Sequence, residues 1–432
     1  MTLQQQYPRV AIVGAGFGGL NAAKALAGTP LDVVLIDKTN HHLFQPLLYQ
    51  VAAAALSPGE IAAPVRAIFR GMRNVQVEMD EVADIDPDAK TLTLKEQGEM
   101  RYDYLILAPG ARHSYFGHDD WEAAAPGLKT LDDALYIREK VLTSFERAEH
   151  CYGTPEAAQH LTFVVVGAGP TGVEIAGALA EIGKNAMLPD FPMLHERDIS
   201  IFLVEAGGRV LSAFPPKLSE HARQSLESLG VRVMCNATVQ NVDSDGVEIV
   251  WAHGSAERIA TANVIWAAGN AASPLLKKLP VRLDRVGRVV VAPDCSVPGY
   301  PDVFVIGDAA HFAGADGNPL PGLCPVAIQQ GRYVASVIKK RLPPERRKPF
   351  RYLDKGTMAT IGRAKAIAMS AGMSFTGFIA WFLWAFVHIY FLIGFRNRLR
   401  VMVEWMWYYI TFQPGARLII SRSRQSGVQH SG

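Results

Sequence analysis

A strand running into Gly-x-Gly-x-x-Gly and then into a helix of small residues occurs twice, as VAIVGAGFGGLNAAKAL at Val10–Leu26 and VVVGAGPTGVEIAGAL at Val164–Leu179. That context restricts the fold. The first glycine permits a tight turn, the second lets backbone approach a pyrophosphate, and the third lets helix and strand pack closely; the helix N-terminus favours the anion. Two copies predict two bound dinucleotides. Each should be followed by a strand ending in an acid for a ribose hydroxyl. Leu31–Ile36 is a β-like run closed by Asp37, and Ile199–Val204 is closed by Glu205 after an irregular insertion around Gly183–Asp198. An acid there repels a 2′-phosphate, so Glu205 favours NADH over NADPH, with Arg209 close enough to soften the preference.

Two nicotinamides would be redundant, whereas a flavin and a nicotinamide make a hydride relay. Tyr102–Gly110 (YDYLILAPG) reads as a buried strand ending in a glycine turn, and Ala262–Gly269 (ANVIWAAG) repeats the pattern. Asp302–Ala310 (DVFVIGDAA) ends in Gly307-Asp308, where a carboxylate at a strand's C-terminal edge can hold the ribityl or pyrophosphate part of FAD. In this order the segments resemble the two-dinucleotide-binding-domain flavoproteins. That resemblance implies an α/β fold with two Rossmann-like domains, the NAD domain inserted in a discontinuous FAD domain, plus a C-terminal helical membrane-attachment region. The expected division is 1–120 and 286–345 for FAD, 121–285 for NADH and 346–432 for attachment. Expected FAD contacts are Gly14, Gly16, Phe17, Gly18, Gly19, Asp37, Lys38, Pro46, Ala108, Gly110, Gly307 and Asp308. Expected NADH contacts are Gly167, Gly169, Thr171, Gly172, Glu205 and Gly269.

The 432 residues suffice for two or three domains. Lys+Arg 43 against Asp+Glu 41 leaves a net charge of +2, so no general field draws the chain to nucleic acid. The first apolar run is already a Rossmann strand rather than a signal segment, so export is not expected. Cys151, Cys235, Cys295 and Cys324 form no close pair, which argues for a reducing compartment and against a dithiol beside the flavin. Cys324 stays of interest because it follows the Gly-Asp motif. His41-His42 cannot share a helix face, and no metal site is expected.

The last hundred residues differ. Arg341–Arg351 is a Pro-rich basic linker, and Gly377–Phe395 (GFIAWFLWAFVHIYFLIGF) is a 19-residue apolar run in which only His388 can charge near neutrality. As one helix it would be about 28 Å long against a hydrocarbon core of about 30 Å. The aromatic stretch Val401–Phe412 follows, and Arg396, Arg398, Arg400, Arg417, Arg422 and Arg424 face only Glu404. Three placements compete: a single crossing helix over 377–395, a helix lying in the membrane interface, and a helix buried against protein. The aromatic and arginine pattern favours one-sided contact with lipid through residues 376–424.

FAD, NADH and a membrane foot together require a lipophilic acceptor. Phe44–Ala53 (FQPLLYQVAA), Gly167–Leu179, Val303–Ala310, Pro325–Gly331 (PVAIQQG), Lys355–Ala368 (KGTMATIGRAKAIA) and Val387–Leu399 (VHIYFLIGFRNRL) resemble the type II NADH dehydrogenases, single-subunit NADH:quinone oxidoreductases that pump no protons. The resemblance implies respiratory electron transfer to ubiquinone or menaquinone at the cytoplasmic face of the inner membrane, with a homodimer left open. It places Glu174 near flavin and quinone, as a proton relay or a positioning group. Cys324-Pro325 replaces the family's first Ala-Gln, so only Gln329 and Gln330 carry over as quinone-side residues, with Lys365 as a further candidate. A sulfide:quinone oxidoreductase, using Cys324, and a membrane-docked NADH-responsive interaction flavoprotein are the alternatives.

Overall fold

The computed structural model describes residues 7–315, 317–370, 372–411 and 416–419. The first glycine motif lies between the strand Arg9–Val13 and the helix Phe17–Leu26. Its sheet has six strands in the order Ser296–Val297, Tyr300–Val305, Tyr104–Leu107, Arg9–Val13, Asp32–Asp37, Val75–Met79. All neighbours are parallel except the Ser296–Val297 edge pair. Val10, Ala11 and Ile12 are fully buried, as a parallel strand covered on both faces requires. The strand ending before Gly307 pairs with Tyr104–Leu107, so the chain returns to its first sheet after a long excursion.

That excursion builds a second parallel sheet in the order Val231–Cys235, Ser200–Glu205, Thr162–Val166, Asn263–Trp266, with a three-stranded antiparallel sheet beside it. The long helix Leu131–His150 opens it, capped reciprocally by Thr130 and Asp133. Entry and exit are clipped by one antiparallel ribbon in which Ala111–His113 pairs with Asn270–Ala272. The insertion around Gly183–Asp198 forms a π-turn at Gly183–Met187 and two short 3-10 turns.

The C-terminal region is not wholly helical, contrary to the expectation. It starts as a three-stranded antiparallel sheet, Thr357–Gly362, Lys365–Ser370 and Met373–Thr376. The first hairpin turns through Ala364, whose φ is +59°. Ala359, Ile361 and Ile367 are fully buried and share one core with Leu203, Ile201 and Trp384, so this sheet packs on the second Rossmann unit. A single crossing helix over 377–395 is also corrected. The helix Gly377–Phe391 stops when Leu392 becomes extended and Gly394 takes φ +87°, and a second helix runs Phe395–Thr411. The 15 residues of Gly377–Phe391 reach only about 22 Å, and no helix among the described residues is long and apolar enough to cross a membrane.

The tail helices are two-faced. Ala380, Trp384 and Ala385 are buried against the protein, whereas Phe378, Phe382, Phe386 and Tyr390 are about 60% exposed at four-residue spacing. Leu399, Met402, Val403, Met406 and Trp407 extend the exposed apolar surface on the second helix. Of the basic residues, Arg417 is not a free cation: it donates to the Ala186 carbonyl at 2.6 Å and pairs with Asp190. Phe412, Arg422 and Arg424 lie outside the described residues.

Candidate active site

The two glycine loops are built alike. Asp37 Oδ2 accepts the Ala15 N–H at 2.6 Å, and Glu205 Oε2 accepts the Ala168 N–H at 2.7 Å. The other oxygens serve the next turn: Asp37 Oδ1 accepts from the Thr39 N–H and hydroxyl, both at 2.8 Å, and Glu205 Oε1 accepts from Gly207 N–H at 2.7 Å. A carboxylate has about four lone-pair positions, so each acid fixes its loop and can still take a ribose hydroxyl. Gly14 and Gly167 sit at φ +99° and +95°. A Cβ on Gly19 or Gly172 would lie 1.9 or 1.8 Å from the carbonyl oxygen of Gly14 or Gly167. A Cβ on Gly16 or Gly169 would meet nothing within 4 Å. The backbone at these two glycines therefore stands open, as close approach to a pyrophosphate requires, and both loops fit a dinucleotide.

Gly167, Gly169, Thr171, Glu205 and Gly269 line one cleft with Lys129, Trp121 and Trp266. Gly172 sits beneath it, against Gly167. In the first sheet, Gly110 takes φ +70° after the strand Tyr104–Leu107, and the Gly14 turn closes against the Ala108 carbonyl. Gly18 packs on Ile306. Phe17 meets the His42 and Phe44 rings edge-on at 5.1 and 5.8 Å. Pro46 lies in the 3-10 turn Gln45–Leu47, and Lys38 is exposed just past the acid. Gly307 takes φ +66° and its N–H donates to Gln330 Oε1 at 2.7 Å, leaving Asp308 in the turn that follows.

Glu174 lies one turn into the helix Pro170–Ile182, on a face with Gly177 and Glu181. This face meets the C-terminal sheet so closely that a Cβ on Gly177 would come 1.8 Å from the Ile361 carbonyl oxygen. Beside the contact lies a pocket lined by Glu174, Tyr49, Gln50, Thr360, Arg363, Trp381, Trp384 and Trp405. The Glu174 carboxylate receives one long bond, 3.5 Å, from the Thr360 N–H. Burial outweighs that bond and pushes its pKa up to about 8. Trp405 Nε1 donates to Gln50 Oε1 at 2.8 Å, while Trp384 stacks on His388 and Trp405 with centroids 4.4 and 5.2 Å away. Trp384 Nε1 is buried with no hydrogen-bond partner among the described residues.

The sequence pattern of the pyridine nucleotide-disulphide oxidoreductases matches residues 8–331, and that of the NDH2 C-terminal domain matches residues 355–411. The chain is 43% identical over 417 residues to the type II NADH:quinone oxidoreductase Ndh of Mycobacterium tuberculosis, covering 94% of this chain and 89% of that one. It is 45% identical over 409 residues to NdhA of the same organism, covering 92% and 86%. The chain belongs to the type II NADH:quinone oxidoreductases. In fold it is similar to NDH2 of Plasmodium falciparum, solved in complex with NADH, with a TM-score of 0.87 at 21% identity over 96% of this chain and 100% of that one. The sulfide:quinone oxidoreductase of Aquifex aeolicus shares the fold at TM-score 0.72 and 18% identity, covering 90% and 92%.

The sulfide alternative needs a reactive thiolate, and Cys324 does not offer one. Burial, reinforced by Asp308, pushes its pKa up to about 12, so it stays a thiol at neutral pH. Three other expected residues of this type II oxidoreductase are not in the lining of the Glu174 pocket. Gln329 is tied at both ends to Leu353, donating to its carbonyl at 2.9 Å and accepting its N–H at 3.0 Å. Gln330 is 1% exposed and holds Gly307. Lys365 donates to Ser228 Oγ at 2.6 Å, pinning the hairpin to the helix Pro216–Ser228. Replacing Gln330 by Leu leaves the Gly307 N–H unpaired at a cost of about 1–3 kcal/mol. Looser flavin retention is the expected result, read as flavin released on gel filtration, and it should precede any selective loss of quinone turnover. Sequence reasoning missed Trp381, Trp384 and Trp405; the recurrence of tryptophans at 381 and 384, one helical turn apart, was the available signal.

Proposed function

We propose that the protein oxidises NADH and reduces a membrane ubiquinone or menaquinone, without pumping protons, from the cytoplasmic face of the inner membrane. Residues 1–120 and 286–345 form the FAD-binding part, 121–285 the NADH-binding part and 346–432 the attachment region. FAD, held by Gly14, Gly16, Asp37 and Asp308, would accept hydride from NADH and yield two electrons to the quinone. NADH docks in the Gly167–Glu205 cleft, with its adenosine ribose at Glu205. The exposed faces of the two tail helices rest in the lipid surface and deliver quinone to the Glu174 pocket. Gln329 and Gln330 are positioning residues: the first fastens the linker, the second the Gly307 turn.

The position of Glu174 carries this reading. It stands on the helix that opens at the NADH glycines, yet faces a pocket walled by tryptophans of the tail. With a pKa near 8 it holds a proton at neutral pH and can donate it as quinone is reduced. The trend has a definite sign: donation is available below about pH 8 and fades above it. Because the pKa is raised above the ordinary 4.5, the carboxyl's contribution to folding stability is full below about 4.5 and lost as pH rises through about 8.

Rapid mixing separates the half-reactions. NADH should bleach the flavin equally in wild type and Glu174→Gln. Reoxidation by a short-chain quinone should slow by about 10²-fold in the variant and lose its decline across pH 8. A variant with the wild-type rate and profile would remove Glu174 from quinone chemistry. Flavin bleaching without quinone-stimulated turnover in the wild type would defeat the whole assignment.

A further inference from the structure

The hinge between the tail helices closes over a second pocket, which shares no lining residue with the Glu174 pocket. Lys24 of the first glycine helix, Arg332 of the helix Cys324–Lys339 and Arg398 of the tail all line it, and no carboxylate does. None of the three cations takes part in a salt bridge among the described residues. Among the described residues Arg332 donates to the neutral Asn21 Oδ1, at 3.0 Å. Arg398 donates to the Leu392 carbonyl at 2.8 Å and lies 5.9 Å from the centre of the Tyr390 ring. His42, also in the lining, is kept neutral, its pKa lowered to about 4 chiefly by burial. Burial and Arg332 together lower that of Lys24, the mark of two cations drawn close in a pocket whose lining holds no carboxylate.

Three converging cations with no acid suit an anion with several acceptor oxygens, and the surroundings say which kind. The exposed stripe Phe378, Phe382, Phe386, Tyr390 ends at this pocket, since Tyr390 belongs to both. An aromatic stripe of that type lies at the level of the acyl chains and headgroups. A phosphate held at the pocket would therefore sit where a phospholipid carries one, at the end of its apolar tails. We propose that Lys24, Arg332 and Arg398 bind the phosphate of an anionic phospholipid whose acyl chains lie along the aromatic stripe. This rests on the one-sided attachment inferred above and adds a specific headgroup site to it. A free soluble phosphate would use the same cations but would gain nothing from the stripe.

The test uses the full-length, flavin-loaded protein and co-sedimentation with vesicles of phosphatidylcholine alone or mixed with phosphatidylglycerol. Lys24→Gln/Arg332→Gln should bind neutral vesicles like the wild type but lose about 30-fold in affinity for the anionic ones. Its NADH oxidation with a short-chain quinone should be unchanged, which shows that it is folded. Arg396→Gln/Arg400→Gln removes the same charge from exposed tail positions outside the pocket and should lose clearly less. Equal losses in the two double variants would reduce the site to diffuse attraction and overturn it. Displacement by millimolar inorganic phosphate would assign the pocket to a soluble ligand instead. A raised quinone KM with unchanged vesicle binding would make it a quinone entrance. Failure of the wild type to bind either vesicle would bring down the attachment reading and the lipid site with it.

Discussion

Glu205→Ala should lower kcat/KM for NADH by about 10²- to 10³-fold while leaving FAD in place. The expectation exceeds a single lost ribose contact because Glu205 already holds the N–H groups of Ala168 and Gly207. Removing it leaves the buried Ala168 N–H without a partner, at about 1–3 kcal/mol, and hands the exposed Gly207 N–H to water, besides any bond to the substrate. NADPH should lose less, since the charge that repels its 2′-phosphate disappears as well, and discrimination between the two should narrow. Steady-state kinetics with both nucleotides, beside the flavin-to-protein ratio, reads this directly. An unchanged NADH/NADPH ratio would mean that Glu205 only shapes the loop. Glu205→Gln, which keeps an acceptor and loses the charge, separates loop support from phosphate repulsion.

The other large effect belongs to Trp384. Its ring is 2% exposed and stacked between His388 and Trp405, so Trp384→Ala should cost about 3–5 kcal/mol, collapse the pocket wall and abolish quinone turnover. Trp384→Phe is the sharper probe: it keeps a ring in the stack and deletes the unpartnered Nε1–H. If that donor meets a quinone carbonyl, quinone turnover should fall about 3- to 10-fold while the rate of flavin bleaching by NADH stays at the wild-type value. Equal loss in both half-reactions would place Trp384 in the fold alone.

Local rules made the two glycine loops legible. The glycine spacing encodes steric facts that recur in both copies, and a strand ending in an acid follows each. The tail was legible in composition and not in geometry. An apolar run carries no mark of where a helix breaks, and here the break depends on Gly394 at positive φ and on Arg398 capping the Leu392 carbonyl. The glutamines show a different limit. Gln329 and Gln330 are adjacent on one helix, so their side chains point different ways, one to Leu353 and one beneath Gly307. The tryptophan wall joins residue 405 to residue 50, a contact that depends on how two distant segments pack.

The absent side chain at Gly177 has a mechanical meaning. With the Ile361 carbonyl filling the space where a Cβ would stand, the C-terminal sheet is keyed directly into the nucleotide helix, with no linker or fluid layer between them. Such a joint has no slack. With the tail helices attached to lipid as proposed, the lipid surface, reached through that sheet and the helices behind it, would become the datum from which the position of the hydride donor is set.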